Sequence, residues 1–319
     1  MSDTPVPSDP LETGLRHLLY PYTGAQNYLP GLLAYVDEAL AVGASVVVCA
    51  PEERVHLLRK HVAAHDAVAY MDAGTLDANP GRLIPMWKDW VDQRGRKGPV
   101  YGIAESVWRG RSAAHLSELW YHEWLLNQAF TRHPAWSLLC PFDTADQSQA
   151  TARALSRSHP LIWDGATSVT GTQYDPGPYP YEPFPDPRDS YQEMPYTIDD
   201  LTRVREHIGA WASCRGMAQA RTGDLLLAVT EIASNSIRHG GGRGVLRTWA
   251  EDGALVCEFR DDGLIADPMV GRRRPMADQI GGCGLWFAHQ LCDLVEIRSA
   301  PRVGTSVRLH MNLAREEAA

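Results

Sequence analysis

The stretch EIASNSIRH at residues 231–239 decides how the C-terminal half of this 319-residue chain is interpreted. Apolar residues before and within it recur at helical spacing, which predicts a helix over residues 221–239. Glu231 and Asn235 are four residues apart, so both project from one face of that helix. An Asn amide oxygen suits Mg²⁺, and a carboxylate one turn earlier can orient a hydroxyl or a water towards a phosphate. Taken alone, the pair is more simply explained as a solvated polar face.

Two strands are predicted after this helix, over residues 244–250 and 254–260, joined by a Glu-Asp-Gly turn. The second strand runs into Asp261-Asp262-Gly263. A carboxylate at a strand end can accept a hydrogen bond from an exocyclic amine, and Gly263 lets a flat ring approach the backbone. An ordinary strand-ending turn explains the same residues.

A glycine-rich passage at residues 281–284 opens a helix that is predicted over residues 285–292. The bare N–H groups and the positive dipole end of such a helix start can hold a phosphate. Two closing strands are predicted over residues 294–299 and 305–312, and the hydroxyl of Thr305 could reach a bound base. Each motif by itself is also explained as a helix start or a turn.

With a further helix over residues 199–217, this half is predicted to be an α+β sandwich with helices on one face of a mostly antiparallel sheet. The order of the four motifs resembles the GHKL ATPase superfamily, with its Bergerat sandwich fold, over residues 199–313, and within it the anti-sigma-factor serine/threonine kinases. The resemblance implies that Asn235 ligates Mg²⁺ and that Glu231 is the catalytic base. It also implies that the other motif residues bind ATP: Asp261 and Gly263 at the adenine, Gly282, Gly284 and Leu285 at the phosphates, and Gly304-Thr305 beside the adenine pocket.

One position departs from the family pattern, and one segment corresponds to a further part of the family's ATP site. The first glycine box usually reads D-x-G-x-G, but Ile265 stands at the position of the second glycine. The bulk of the isoleucine side chain predicts a narrower nucleotide pocket or a reshaped lid. Residues 264–280 fall where the family carries its ATP lid. The arginines at residues 272–274 either screen the triphosphate or form a solvated basic loop, and the pattern leaves both readings open.

The N-terminal half alternates apolar strands with amphipathic helices. Strands are predicted over residues 45–50, 67–72, 100–105 and 137–140, and helices over residues 29–40, 52–65, 81–93 and 116–130. This alternation predicts right-handed crossovers and an open, mostly parallel α/β sheet covered on both faces. A P-loop is excluded, because CAPEE at residues 49–53 stands after the first predicted strand in place of GxxxxGK[ST].

Four segments of this half resemble the MEDS sensory domain, whose architecture is RecA-like: HLLY at 17–20, GIAESVWRGR at 102–111, EWLLN at 123–127 and LCPFDT at 139–144. The likeness covers residues 15–163. It implies a signal-sensing role in which His17 and Cys140 take part. A core histidine and a buried thiol remain the simpler explanation of these two residues.

The segment between the halves, residues 165–195, carries prolines at close intervals, which exclude helix and inner strand. Its aromatic residues predict that part of it lies against a domain surface. The predicted organisation is therefore a flexible N-terminus (1–14), a MEDS-like sensory domain (15–164), a Pro/Tyr-rich linker (165–195), a GHKL domain (196–314) and a tail (315–319).

The formal net charge of −9, from 30 basic and 39 acidic residues, argues against a chain that coats nucleic acid or anionic lipid. The N-terminus lacks a charged-then-apolar signal segment, and no apolar run reaches the roughly 18 residues that a membrane helix needs. The six cysteines form no CxxC pair. We expect a cytoplasmic protein with neither nucleic acid nor membrane as a partner.

These observations and the resemblances imply an anti-sigma regulatory protein that uses ATP and Mg²⁺ as a serine/threonine kinase. It would phosphorylate a STAS-type anti-sigma antagonist, sequester a sigma factor, or do both, under the control of the sensory domain. The alternative, motivated by Ile265, is a non-catalytic nucleotide-binding partner-switch module. A sensor histidine kinase is a weaker alternative, because His207 lies on the domain's own first helix and not on a dimerising hairpin. Family likeness allows a homodimer, which the composition does not decide.

Overall fold

The structure is a computed structural model, and it describes residues 14–313 except for 63–64, 77–78, 107–109, 132–134, 146–147 and 277–281. The described residues divide into two compact units. Unit 1 is drawn from residues 1–77 and 86–179, and unit 2 from residues 78–85 and 180–319. Within the described residues, no helix is long and apolar enough to cross a membrane.

Unit 1 is built on a seven-stranded sheet in the order β3-β2-β4-β5-β1-β6-β7. Its strands are β1 (Leu15–Tyr22), β2 (Ser45–Ala50), β3 (Val68–Asp72), β4 (Val100–Ala104), β5 (Trp136–Asp143), β6 (Leu161–Trp163) and β7 (Ser168–Thr170). The helices that alternate with them are α1 (Ala25–Ala41), α2 (Glu52–Arg59), α3 (Ala73–Leu76), α4 (Leu83–Arg94), α5 (Ala113–Ala129) and α6 (Gln149–Ser158). Every strand pair is parallel except β6 with β7. The predicted α/β class is confirmed.

Strand β1 lies between β5 and β6 in the middle of this sheet, although the sequence pattern did not predict a strand there. Arg16, His17 and Pro21 interrupt its apolar run. His17 is nonetheless completely buried, and it stands opposite Leu138 of β5 in the parallel register. A buried polar side chain in a central strand needs a partner, since an unpaired polar group in a core is costly.

Unit 2 holds a five-stranded antiparallel sheet in the order β11-β12-β10-β9-β8. Its strands are β8 (Gln192–Thr197), β9 (Arg243–Glu251), β10 (Ala254–Asp261), β11 (Leu294–Ala300) and β12 (Gly304–Asn312). Its helices are α7 (Leu201–Cys214), α8 (Gln219–His239) and α9 (Gly284–Leu291). Alternate strand residues such as Leu255, Cys257 and Phe259 join the helices in one hydrophobic core. The predicted α+β sandwich is confirmed.

The segment at residues 165–195 contains two strands, because β7 completes the sheet of unit 1 and β8 begins the sheet of unit 2. Its aromatic rings lie on the units themselves. The Tyr179 ring packs against Tyr121, with 4.9 Å between centroids, and the Phe184 ring lies 4.4 Å from the Arg308 guanidinium. Part of the segment therefore lies against folded surfaces, as its aromatic content predicts.

Residues 79–85, which precede and begin α4, pack within unit 2 at the end of α9. Arg82 donates from Nε to the carbonyl of His289 (2.7 Å) and from Nη2 to the carbonyl of Cys292 (2.7 Å). Asn79 Nδ2 donates to the His289 carbonyl as well, at 3.0 Å. These donors satisfy carbonyls that a helix leaves open at its C-terminus. No sequence pattern indicated this cap.

Two glycines of unit 2 separate the cost of left-handed backbone strain from the gain in helix propensity. Gly216, after α7, has φ +81°, whereas Gly223 lies inside α8, and a Cβ at either position meets nothing within 4 Å among the described residues. Gly216→Ala is therefore expected to lower the free energy of unfolding by roughly 1–2 kcal/mol through left-handed strain alone. Gly223→Ala is expected to raise it by up to about 1 kcal/mol, because alanine is the better helix former. Urea unfolding measures both, and equal signs would contradict the assigned backbone.

Candidate functional site

Helices α8 and α9 bring the predicted phosphate-side residues of unit 2 together. Glu231 and Asn235 are half-buried on α8, and Gly284 is the first residue of α9. A methyl group built on Gly284 would lie 2.7 Å from Glu231 Oε2 and 3.1 Å from Asn235 Nδ2. Only glycine fits here without displacing one of these side chains. The start of α9 thus lies directly against the carboxylate and the amide.

The N-terminus of α9 can accept an anion. In the described part of the chain, no side chain caps the first turn of α9, which follows Cys283. Gly282 is exposed with φ +75°, and Leu285 anchors the helix in the core. Uncapped N–H groups at a helix start carry partial positive charge. Gly281, the first residue of the glycine passage, lies outside the described residues.

Asp261 ends β10 next to the helix that carries Asn235. Its Oδ2 accepts a hydrogen bond from the Ser236 hydroxyl (2.7 Å), and its Oδ1 accepts one from the Gly263 backbone N–H (2.8 Å). Ser236 follows Asn235 directly on α8, so the strand end and the helix are held in one arrangement. The half-buried carboxylate keeps lone pairs beyond these two bonds, which a further donor could use.

Thr305 stabilises the turn that follows Asp261. Its hydroxyl donates to the Gly263 carbonyl at 2.9 Å and lies 2.8 Å from Ser299 Oγ. Ser299 Oγ in turn accepts from the Ile265 backbone N–H at 2.9 Å. This chain of three hydrogen bonds fixes the backbone on both sides of Leu264. Thr305 is therefore a positioning residue for the turn.

Ile265, which departs from the family pattern, packs against the hydrophobic core of unit 2. Among the described residues other than glycine, only Asp252 and Arg302 have positive φ, so the backbone at Ile265 needs no glycine. Packing against this core accounts for the position of the Ile265 side chain.

The three arginines of the lid segment have different surroundings. Arg272 is buried, with 1% of its surface exposed, whereas Arg273 and Arg274 are exposed. Arg273 forms an ion pair with Asp267 at 2.5 Å. Burial first, and then the charges of Arg272 and Arg82, hold the pKa of His289 well below its usual value. Arg272 therefore lies beside α9, and of the two alternatives left open for this segment, a solvated basic loop does not describe this residue.

In unit 1, the two predicted sensory residues are in contact. Cys140 Sγ lies 3.4 Å from His17 Nε2, and both residues are completely buried. Burial is the main cause that lowers the pKa of His17 to about 4 and raises the pKa of the Cys140 thiol. Glu123 and His159 complete the cluster. No spacing motif in the sequence connects Glu123 or His159 with His17, so neither was predicted as a site residue.

Comparison with known proteins identifies both parts of the chain. Residues 16–160 match the model of the MEDS family, described as the methanogen/methylotroph, DcmR sensory domain. Residues 194–311 match the model of the histidine kinase-like ATPase domain. No curated protein matches the chain.

A solved structure of the RsbU and RsbW domains of Rv1364c from Mycobacterium tuberculosis is also similar to it. The sequence identity is 20% and the TM-score is 0.29, and the match covers 39% of this chain and 33% of that one. This chain therefore spans about a third of the length of that protein. The two family matches, and the folds that carry them, show that the chain joins an N-terminal MEDS domain to a C-terminal histidine kinase-like ATPase domain.

Proposed function

We propose that unit 2 binds ATP with Mg²⁺ and transfers the γ-phosphoryl group to a serine or threonine hydroxyl of a STAS-type anti-sigma antagonist. The observation that carries this proposal is the meeting of Glu231, Asn235 and Gly284 at the start of α9, where no described side chain forms a cap. Unit 1 is the sensory part that controls the reaction. The regulated output is a sigma factor held or released by unit 2.

The residues of the site fit a magnesium–nucleotide complex. The amide oxygen of Asn235 is a hard, neutral ligand of the kind Mg²⁺ accepts. Gly284 lets the start of α9 approach Glu231 and Asn235 closely, and no side chain among the described residues caps its first turn, so its N–H groups can bind phosphate oxygens. Asp261, held by Ser236 and Gly263, can accept a hydrogen bond from an exocyclic adenine amine. When bound, Mg²⁺ would offset negative charge on the phosphates.

Glu231 supplies the proton acceptor of the proposed transfer. Its Oε2 would take the proton of the attacking hydroxyl, so that the oxygen develops nucleophilic character as it approaches the phosphorus. Asn235, one turn further on α8, holds the metal side of the site. Positioning and charge stabilisation dominate phosphoryl transfer, so rigid placement on one helix favours this chemistry.

The proposed partner switch rests on competition between two proteins for unit 2. The antagonist without its phosphate competes with the sigma factor for unit 2, and phosphorylation ends that competition. The non-catalytic module remains the second candidate, and Ile265 in the first glycine box is the sequence observation that favours it.

The proposal is tested by incubating the full chain with γ-labelled ATP, Mg²⁺ and STAS-type proteins from the same organism. The wild type is expected to label the antagonist on serine or threonine. Asn235→Ala is expected to lose labelling and at least about tenfold in Mg²⁺-dependent ATP affinity, measured by calorimetry. Asn312→Ala, which removes an exposed Asn at the end of β12, is the matched control and should behave as wild type.

Three outcomes would replace this proposal with another. Unchanged labelling by Asn235→Ala would contradict the assignment of Asn235 as the Mg²⁺ ligand. Nucleotide binding and antagonist binding without transfer by the wild type would favour the non-catalytic module. Acid-labile label on His207 would favour a histidine kinase.

A further inference from the structure

Four buried side chains of unit 1 converge on one point in the interior. They come from β1, α5, β5 and the residue after α6: His17, Glu123, Cys140 and His159. At most 3% of any of these residues is exposed. Each offers one nitrogen, oxygen or sulfur atom, and these four atoms all lie within 4.8 Å of one another. This cluster is independent of the ATP site and of the function proposed for it.

Three of the six distances between these atoms match those between ligands around a shared ion. Glu123 Oε2 lies 3.2 Å from His17 Nε2 and 3.4 Å from His159 Nε2, and Cys140 Sγ lies 3.4 Å from His17 Nε2. A tetrahedral zinc ion has bonds of about 2.0 Å to nitrogen or oxygen and about 2.3 Å to sulfur, which separates neighbouring ligand atoms by roughly 3.3–3.6 Å. The three measured distances therefore fit the edges of such a tetrahedron.

Surrounding groups orient both imidazoles so that Nε2 faces the cluster. His159 Nδ1 lies 2.8 Å from the Leu155 carbonyl, which only accepts, so the proton of the neutral ring is on Nδ1. Asn127 Nδ2 donates to the Ser158 carbonyl at 2.7 Å, which turns Asn127 Oδ1 towards His17 Nδ1 at 3.2 Å. Both rings then present an unprotonated Nε2 inwards. Outer partners of this kind fix the tautomer of metal-binding histidines.

The Cys140 thiol can donate a weak hydrogen bond to His17 Nε2, but the lone pairs of Glu123 Oε2 and His159 Nε2 face each other unless something positive lies between them. Both imidazole rings are completely buried, so water cannot supply the missing donors. Within the described residues, Glu123 Oε2 and His159 Nε2 are buried without a hydrogen-bond partner, and the ion-pair partners of Glu123 are the two histidines. An unpaired carboxylate in a dry interior is costly, and a cation at the centre removes that cost.

The charge and softness of the four ligands select the ion. A divalent cation with one thiolate, one carboxylate and two neutral imidazoles forms a site of zero net charge, which suits complete burial. Thiolate and imidazole ligands favour zinc and similar transition metals over Mg²⁺ or Ca²⁺. Binding would convert the Cys140 thiol to a thiolate and release its proton to solvent.

We propose that unit 1 binds one zinc-type divalent cation through His17 Nε2, Glu123 Oε2, Cys140 Sγ and His159 Nε2. The ion joins the central strands β1 and β5 to α5 and to the end of α6. Its occupancy therefore sets the stability of the sensory unit, because a ligand that binds only the folded state stabilises that state.

The test uses the full chain, produced in medium supplemented with zinc so that the buried site can load during folding. Elemental analysis is expected to find about one zinc per wild-type chain. Cys140→Ser and His159→Gln are expected to retain less than a tenth of it. Cys49→Ser, which alters another buried thiol in the same sheet, is the matched control and should keep the full amount.

Cobalt gives a second readout that does not depend on the variants folding well. Wild-type chain produced with cobalt should show a thiolate-to-cobalt charge-transfer absorption and the intense visible bands of four-coordinate cobalt. Asn127→Ala, which leaves all four proposed ligands in place but removes the Asn127 contacts with His17 Nδ1 and the Ser158 carbonyl, should weaken cobalt binding by about 10- to 100-fold without abolishing that absorption. Wild-type chain without bound zinc, or cobalt bound without the charge-transfer absorption, would overturn the proposal.

Discussion

Glu231→Gln is expected to slow phosphoryl transfer by about 10²- to 10⁴-fold, the contribution of a general base, while ATP affinity changes by only a few fold. Glutamine has the same shape as glutamate but cannot accept the proton of the substrate hydroxyl. The shape matters here, because the Glu231 carboxylate lies so close to Gly284 that a methyl group would not fit between them. The substitution therefore removes the chemistry and leaves the contact between α8 and α9 in place.

Single-turnover labelling of the antagonist measures the rate, and calorimetry with ATP and Mg²⁺ measures binding. Glu206→Gln, on the exposed face of α7, makes the same chemical change away from the site and should have the wild-type rate. A wild-type rate for Glu231→Gln would show that another group accepts the proton. Loss of ATP binding together with the rate would give Glu231 a positioning role.

The pattern of the sequence was sufficient to predict the elements whose physical signals are local. Strand β2 has the bounds that its run of β-branched residues predicts, at residues 45–50. Gly43 ends α1 with φ +70°, a conformation that glycine adopts freely. Strands β1 and β8 were missed, because polar residues and prolines interrupt their apolar patterns and only their neighbours in the sheets make them strands.

The candidate ATP site of unit 2 and the proposed metal site of unit 1 also differ in whether their signals are local in the sequence. Glu231 and Asn235 lie on one helix, so their spacing alone predicted that they face the same side, and the ordered glycine motifs predicted what would meet them. The proposed metal site of unit 1 consists of residues that are far apart in the sequence, at positions 17, 123, 140 and 159. They meet because the sheet order places β1 beside β5, and no short-range pattern in a single sequence carries that order.

Gly304→Ala is expected to destabilise unit 2 by roughly 2–5 kcal/mol and to abolish ATP binding. A Cβ on Gly304 would lie 2.2 Å from the carbonyl oxygen of Asp261, a backbone atom that cannot rotate away, and φ at this position is +97°. Left-handed strain contributes about 1–2 kcal/mol and overpacking about 1–3 kcal/mol. Relief of the clash would move the Asp261 backbone, and with it the carboxylate that Ser236 orients.

Gly253→Ala is the control that separates these two contributions. Gly253, in the turn between β9 and β10, has φ +77°, and its Cβ would meet nothing within 4 Å among the described residues. It carries the backbone strain without the clash, so we expect a loss of about 1–2 kcal/mol and unchanged ATP binding. Urea unfolding and calorimetry on both variants give the steric part by difference. Equal losses would mean that Asp261 and Gly304 can separate freely, and the strand end would then not hold Asp261 rigidly enough to select a base.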